Sequence, residues 1–450
     1  MKFRCERDVL LEALTTAGRA VASRGGALPV LSGVRLEIVG DELRVVGTDL
    51  DLTIQISVGV AGIANGVVVA PGRLVTDIVR ALDPGAVVVE SDDDDDELRI
   101  SSGRSNFAVR THPAGDFPRL PLVSGDAVRL PAAGLADALR QVVRAASSED
   151  SRPILTGVLM AAEMGGLRLV ATDSYRLAVR DLPGVGVLHD EQKVLVPSRA
   201  LAEVQRLLSA AASSSAHGAK EAPAPAPAVA VAPAVAPPAA QSGIGVDGMA
   251  LDGMAVDGSA AVDGPAGDGP AAAAVGAAAA VAAAGLESRP ADAGPAAILR
   301  LGEHDATFEV GAVKLTTRLI EGDFPNYRQL IPAGYPNSLI VGRDALLDAV
   351  RRVKLMVRDP TTPVRIALRS DGIELTVITQ DWGQATEEVD AKYEGAEMVV
   401  AFNPAYLIDG VEAITSDEVQ LETLDALKPA TLKPTEGSDY LYLLMPVRVS

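Results

Sequence analysis

Ala171-Thr172-Asp173-Ser174-Tyr175-Arg176-Leu177-Ala178 closes a two-strand unit. Its first strand covers 153–159, its second 167–170, and Gly165-Gly166 supplies the turn. The same unit stands earlier, at Pro29-Val30-Leu31-Ser32-Gly33-Val34-Arg35-Leu36, a Gly40-Asp41 turn and Leu43-Arg44-Val45-Val46-Gly47-Thr48-Asp49. The two align without gaps at a constant offset of 124 residues. A third, weaker copy starts at Pro363, turns at Asp371-Gly372 and ends at Thr379-Gln380-Asp381. A threefold internal repeat therefore governs the organisation of the chain.

Within the hairpins, Val34, Leu36 and Ile38 alternate with Arg35 and Glu37, the pattern of a sheet with one face on a core. Helical spacing of Val9, Leu10, Leu14 and Ala17 predicts a helix over 7–22, with Asp8 suited to its first turn. Further helices are expected at 73–82, 136–146, 198–208, 343–357 and from Asn403-Pro404 to 414. Each repeat reads as helix, hairpin, strand, helix and closing strands. The expected class is α+β with a mainly antiparallel sheet in three like-folded domains, 1–124, 125–335 and 336–450.

Residues 209–297 interrupt the second domain. They are Ala, Pro, Gly and Ser with few large apolar side chains, so disorder is expected there. Lys220 and Arg289 face eight Asp and Glu in this stretch, a net of −6. The net charge of the 450-residue chain is −20, which leaves about −14 for the folded remainder. Taken alone, an acidic total argues against nucleic acid, whose phosphates are bound by Lys and Arg. Segregated charge escapes that argument. The expected helices carry Arg19, Arg73 and Arg80, then Arg140, Arg144, Arg199 and Arg206, then Arg343, Arg351, Arg352 and Lys354. Were these helices to share one side, they would hold a phosphate backbone without reading bases.

A single cysteine, Cys5, excludes an internal disulfide and a Cys-cluster zinc site. No segment reads as a signal peptide or a membrane span, so a soluble, cytoplasmic protein with no membrane partner is expected. No phosphate-cradling Gly-rich loop, GxSxG elbow or histidine ligand spacing is present, so no catalytic residue, metal site or cofactor is assigned. Thr48-Asp49 and Thr172-Asp173 recur at equivalent positions and are read as structural turns rather than catalytic carboxylates. The Asp run between Glu90 and Glu97 is read as a solvated hairpin turn, since consecutive Asp side chains diverge. A hydrolase or transferase on a repeated scaffold, and a protein-only interaction scaffold, are the competing readings.

Four stretches resemble the bacterial sliding clamp family, the beta subunits of DNA polymerase III: Leu28-Pro29-Val30-Leu31, Thr172 to Ala178, Phe324-Pro325-Asn326-Tyr327-Arg328-Gln329-Leu330-Ile331-Pro332, and Tyr442-Leu443-Leu444-Met445-Pro446-Val447-Arg448. The resemblance covers all but the interruption. It implies a non-catalytic, nucleoid-associated processivity factor: a head-to-tail homodimeric ring, sheets outside and helices lining the hole, around double-stranded DNA. Head-to-tail contacts that close give a ring rather than a filament. It implies a dimer contact of Phe107 and Val109 with Leu355 and Met356, and DNA contacts at Arg24, Arg73 and Arg199. It further implies a peptide pocket between domains two and three, an apolar slot with a polar rim. That pocket would be lined by Leu155, Thr172, Ser174, Tyr175, Arg176, Leu177, Pro325, Arg328, Leu330, Leu443, Met445, Pro446, Val447 and Arg448. Its implied partners are the replicative polymerase alpha subunit, the clamp loader, repair polymerases, and mismatch-repair or ligase proteins. The chain departs from the family pattern at several points. Glu149 stands where the family can present an amide to DNA. Pro153-Ile154 replace an aromatic pair seen in some members, Tyr175 replaces a common His, and most members lack the interruption.

Overall fold

The hairpin that repeats in sequence repeats in structure, down to its entry turn. Pro29–Ser32 and Pro153–Thr156 are both single 3₁₀ turns. Ser32 Oγ donates to the Pro29 carbonyl at 2.6 Å, and Thr156 Oγ1 to the Pro153 carbonyl at 2.7 Å. The strands that follow, Gly33–Val39 with Glu42–Thr48 and Gly157–Glu163 with Gly166–Thr172, pair antiparallel, as do Val364–Arg369 and Gly372–Thr379 in the third copy. The alternation works as read: Val34, Leu36 and Ile38 are buried, while Arg35 pairs with Glu37 on the outer face at 3.2 Å. The computed structural model describes residues 1–22, 28–91, 96–120, 125–163, 165–185, 192–218, 296–437 and 439–448, with the backbone alone for 214–218.

Six helices are described: α1 Arg7–Gly18, α2 Gly72–Ala81, α3 Ala132–Val142, α4 Ser198–Gly218, α5 Arg343–Lys354 and α6 Pro404–Ala413. Each follows one strand and precedes at least three. Every repeat is thus itself two copies of a strand–helix–three-strand unit, a doubling not read from the sequence. The opening strand Lys2–Glu6, which pairs with Ala61–Ala64 and Ala86–Glu90, was likewise missed. Several helix ends also differ from expectation. α1 stops at Gly18 rather than 22, and α3 begins directly after Pro131. α4 continues ten residues past 208, because Ala and Ser extend a helix well enough. Ser209 and Ser213 bond back to the Gln205 and Ser209 carbonyls at 2.9 and 3.0 Å. The first ten residues of the expected disordered interruption are therefore helical. Its last two residues open the strand Ala296–Leu301, and the rest, 219–295, lies outside the described residues, as do Arg24 and Asp92 to Asp95.

The described strands form four sheets. Two of them cross repeat boundaries. An eight-stranded sheet joins repeats one and two where Leu52–Gly59 pairs with Val313–Arg318. A nine-stranded sheet joins repeats two and three where Arg176–Pro183 pairs with Tyr440–Leu444. The other two stand at the ends, five strands finishing at Ser105–Arg110 and four finishing at Gly383–Val389. In repeat one, Leu10, Leu14, Val75 and Val79 of the helices share a core with Leu36, Ile38, Val89 and Ile100 from both of its half-sheets. Gly47 is required there, since a Cβ would run into the Ala17 carbonyl oxygen of α1.

The helices adjoin one another across the repeats. α1 contacts α2, α3 contacts α6, and α6 contacts α5. Arg19, which caps α1, reaches Glu203 on α4 at 3.6 Å. α3 and α4 share one apolar core through Leu135, Leu139, Val204 and Leu208. The result is a single row, α2–α1–α4–α3–α6–α5.

Candidate peptide groove and helix face

The turn at Thr172 to Tyr175 shapes the candidate groove. Thr172 Oγ1 accepts from the Ser174 amide at 3.1 Å, and Asp173 Oδ1 accepts from the Tyr175 and Arg176 amides, both at 2.9 Å. Thr48 and Asp49 make the same bonds to Leu50 and Leu52, at 3.1 and 2.8 Å. Leu50 and Ser174 are the only non-glycine residues with positive φ among those described, at 82° and 79°. Both Asp residues are turn formers, as expected. In repeat two this turn lifts Tyr175 into solvent, where it is 58% exposed.

Immediately after the turn, Arg176–Pro183 pairs with the C-terminal strand, setting Leu177 opposite Leu443. Both are buried. The Met445 amide donates to the Tyr175 carbonyl at 2.9 Å, and the Val447 amide to the Ala401 carbonyl at 2.8 Å, so residues 445–447 are held by repeat two and repeat three in turn. Phe324, Tyr327 and Ile331 pack on the cluster of Leu177, Leu443 and Leu195, which brings the 324–332 stretch over the same sheet face. Pro325 and Arg328 are exposed. Tyr175, Leu330 and Met445 are the open large apolar side chains of this region. At this boundary Leu177 and Leu443 are buried beneath an exposed apolar lip; Leu155 is also buried, Ser174 and Arg448 are exposed, and Pro446 is half-buried.

Two assigned residues have another role. Thr172 is buried, and its hydroxyl donates to the Arg176 carbonyl at 2.7 Å. The Arg176 side chain is only 10% exposed. Its guanidinium donates to Asp173 at 3.0 Å and to Asp409 on α6, and lies 4.4 Å over the Tyr406 ring. Burial opposes its charge, yet Tyr442, Asp409 and Asp173 outweigh burial and hold it above the ordinary arginine range. Burial likewise raises the Tyr442 phenol, which donates to the Tyr406 carbonyl at 2.9 Å. Arg176 ties repeat two to repeat three from beneath the groove. Tyr406, which stacks on Tyr175, and Asp409 were missed in the sequence, because only the fold brings α6 here.

Beside the groove, a cavity of about 570 Å³ opens between the nine-stranded sheet and 319–328. It shares only Pro325 and Arg328 with the assigned groove residues.

On the helix row most basic side chains are already paired: Arg80 with Asp77, Arg144 and Arg351 with Glu412, Arg206 with Glu203, Arg343 with Asp344, and Arg352 with Glu387. Arg199 donates to Asp49. Arg73 and Lys354 are exposed and meet no described carboxylate. The row is therefore a lattice of surface ion pairs rather than a bare basic face. Such pairs hold weakly, at about 0–1 kcal/mol each, and exchange readily for another anion.

By the two end sheets, Phe107 is 38% exposed on the open strand Ser105–Arg110, and Leu355 is 77% exposed just beyond α5. Val109 and Met356, assigned with them, instead pack on the interior cores. Phe107 and Val109 share one face of the strand, opposite Ile100 and Leu98; Val109 is covered by the core, whereas Phe107 is left partly open.

Comparison with known proteins agrees across all three repeats. Models of the DNA polymerase III beta subunit match at 1–121 (N-terminal domain), 129–215 (central domain) and 328–448 (C-terminal domain). The beta sliding clamp of Streptomyces coelicolor is 30% identical over 462 aligned residues, covering 100% of both chains. Among solved structures, a sliding clamp of Bartonella birtlesii bound to griselimycin superposes with a TM-score of 0.76 at 27% identity, covering 100% of both chains. The C. crescentus beta sliding clamp gives 0.75 at 26%, covering 100% of this chain and 99% of that one. With every repeat matched in order and a relative aligned from end to end, the chain belongs to the DNA polymerase III beta subunit family, the beta sliding clamps.

Proposed function

We propose that two copies of this chain close head to tail into a ring around duplex DNA and act there as a non-catalytic processivity factor of DNA polymerase III. The observation that carries the ring is the state of the end sheets. Inside the chain, half-sheets fuse at each repeat boundary into sheets of eight and nine strands. The end sheets of five and four strands keep open edges at Ser105–Arg110 and Gly383–Val389. Joined to a second copy, they make a junction of the same size, and edges left open invite pairing. Phe107 and Leu355 supply apolar contact beside those edges. Domains 1–124, 125–335 and 336–450 would then serve as six like segments of the ring.

Facing the hole, the helix row offers weak, exchangeable cation sites. A topological link needs no strong contact, and sequence-blind phosphate contacts leave sliding free. Arg73 and Arg199 are the contacts we assign on the described chain. The groove at the junction of repeats two and three takes a short peptide, with Tyr175, Leu330 and Met445 as its open apolar surface. Through it the replicative polymerase alpha subunit, clamp loader, repair polymerases, and mismatch-repair or ligase proteins would be tethered in turn.

Retention on DNA tests the ring. Assembled with a clamp loader on nicked circular duplex, the protein should co-elute with DNA and be lost when a restriction enzyme linearises it. Loss before cutting, or retention on the linear product, would refute encirclement.

A further inference from the structure

We infer that the cavity beside the peptide groove is a second recognition pocket, taking a basic residue that flanks a partner's docking peptide. The inference rests on the groove reading above. Leu159, Leu195, Ile320 and Phe324 give the cavity an apolar lining, and its volume of about 570 Å³ suits a side chain with its adjoining backbone. Pro325 and Arg328 line it and belong to the groove as assigned, so the two spaces adjoin.

Two independent features point to a ligand. Tyr327 lines the cavity, is only 6% exposed, and its hydroxyl has no aligned hydrogen-bond partner. The polar groups beside it are the guanidinium groups of Arg168 and Arg328, which carry only N–H donors. Its own proton therefore has no acceptor, and a peptide carbonyl entering the cavity would provide one. The rim is the second feature. Glu303, Glu321 and Asp323 line it, and none pairs with a described Lys or Arg. Only His304 approaches, at 3.9 Å from Glu303 and 3.7 Å from Glu321. Against these, Arg328 is already bound to Glu163, which leaves Lys193 as the opposing cation. The balance favours a cationic guest over an anionic one.

Fluorescence anisotropy with the full-length protein tests this. The probes are a labelled C-terminal peptide of the replicative polymerase alpha subunit, and the same peptide extended at either end by Gly-Lys-Lys or Gly-Glu-Glu. At low salt, one Lys-bearing extension should tighten binding about fivefold and the Glu-bearing one should not. Glu321→Gln with Asp323→Asn should abolish that gain and leave the unextended peptide unchanged. Tyr327→Phe, which keeps the packing, should reduce it. An equal gain in wild type and the double variant, no gain at either end, or an equal effect of Glu and Lys would overturn the second pocket alone. Failure of the unextended peptide to bind, or its indifference to Met445→Ala, would overturn the groove and this inference together.

Discussion

Arg176, on a strand of the second repeat, donates to Asp409 on α6 of the third, 233 residues further along the chain. The same guanidinium holds Asp173, the residue that shapes the groove's turn. Removing one member of such a largely buried set leaves the others uncompensated, which costs about 3–5 kcal/mol. We expect Arg176→Ala to lower unfolding stability by roughly that amount in urea titration, and to weaken peptide binding as a consequence. Arg176→Ala at wild-type stability would show that the guanidinium serves the ligand instead.

Met445 should behave in the opposite way. It is 37% exposed and joins the groove's lip through its backbone bond to Tyr175. Met445→Ala is expected to leave the denaturation midpoint nearly unchanged and to weaken peptide affinity at least tenfold, about 1.4 kcal/mol. Measuring both quantities on both variants separates a support from a contact.

Gly410 on α6 lies against the Tyr442 ring, and a Cβ there would stand 2.6 Å from two ring carbons. Tyr442 is 1% exposed and cannot swing away. Overpacking a filled core costs about 1–3 kcal/mol. Gly410→Ala should therefore destabilise by that order and, by shifting Tyr442 and its bond to Tyr406, loosen the groove. Unaltered melting would mean that α6 yields freely.

Glu412 binds Arg144, in the 3₁₀ turn that follows α3, and Arg351 of α5, at 2.5 and 2.8 Å. Burial raises its pKa, but the two arginines outweigh burial and hold the carboxyl below its ordinary value of 4.5. A depressed folded-state value gives stability that is present above the ordinary glutamate range and lost as pH falls through the folded value. We expect Glu412→Gln to flatten the acid limb of the stability curve below about pH 4.5, with the difference from wild type vanishing once the pH lies below the folded-state value. An unchanged slope would remove Glu412 from the helix row's bracing.

How much of this was legible depends on the distance over which each signal acts. The hairpins and the Thr-Asp turns are local, so an offset of 124 residues exposed them directly. The floor of the groove was accessible only by resemblance, because Leu177 and Leu443 meet through strand pairing between distant segments. Tyr406 and Asp409 carried no local mark, since helical spacing says nothing about which neighbouring repeat a helix face meets. The doubling within each repeat did leave a trace: α2, α3 and α4 each open directly after a strand ending in Pro71, Pro131 or Pro197. The arginine row was visible, whereas its pairing was not, because most partners lie on other elements.

That pairing yields the last expectation. Arg73 has no described carboxylate beside it, whereas Arg199 must leave Asp49 before it can meet a phosphate. Each phosphate contact adds about 0.9 to the slope of log affinity against log salt. Arg73→Ala should therefore lower binding to linear duplex at low salt and reduce the slope by up to about 0.9, and Arg199→Ala should do less. Asp49→Asn keeps an oxygen to accept from the Leu52 amide while removing the charge that holds Arg199. It should strengthen binding and steepen the slope, a gain that vanishes in the Asp49→Asn, Arg199→Ala double variant. Persistence of the gain without Arg199 would mean that Asp49 repels DNA directly and that Arg199 is not a contact.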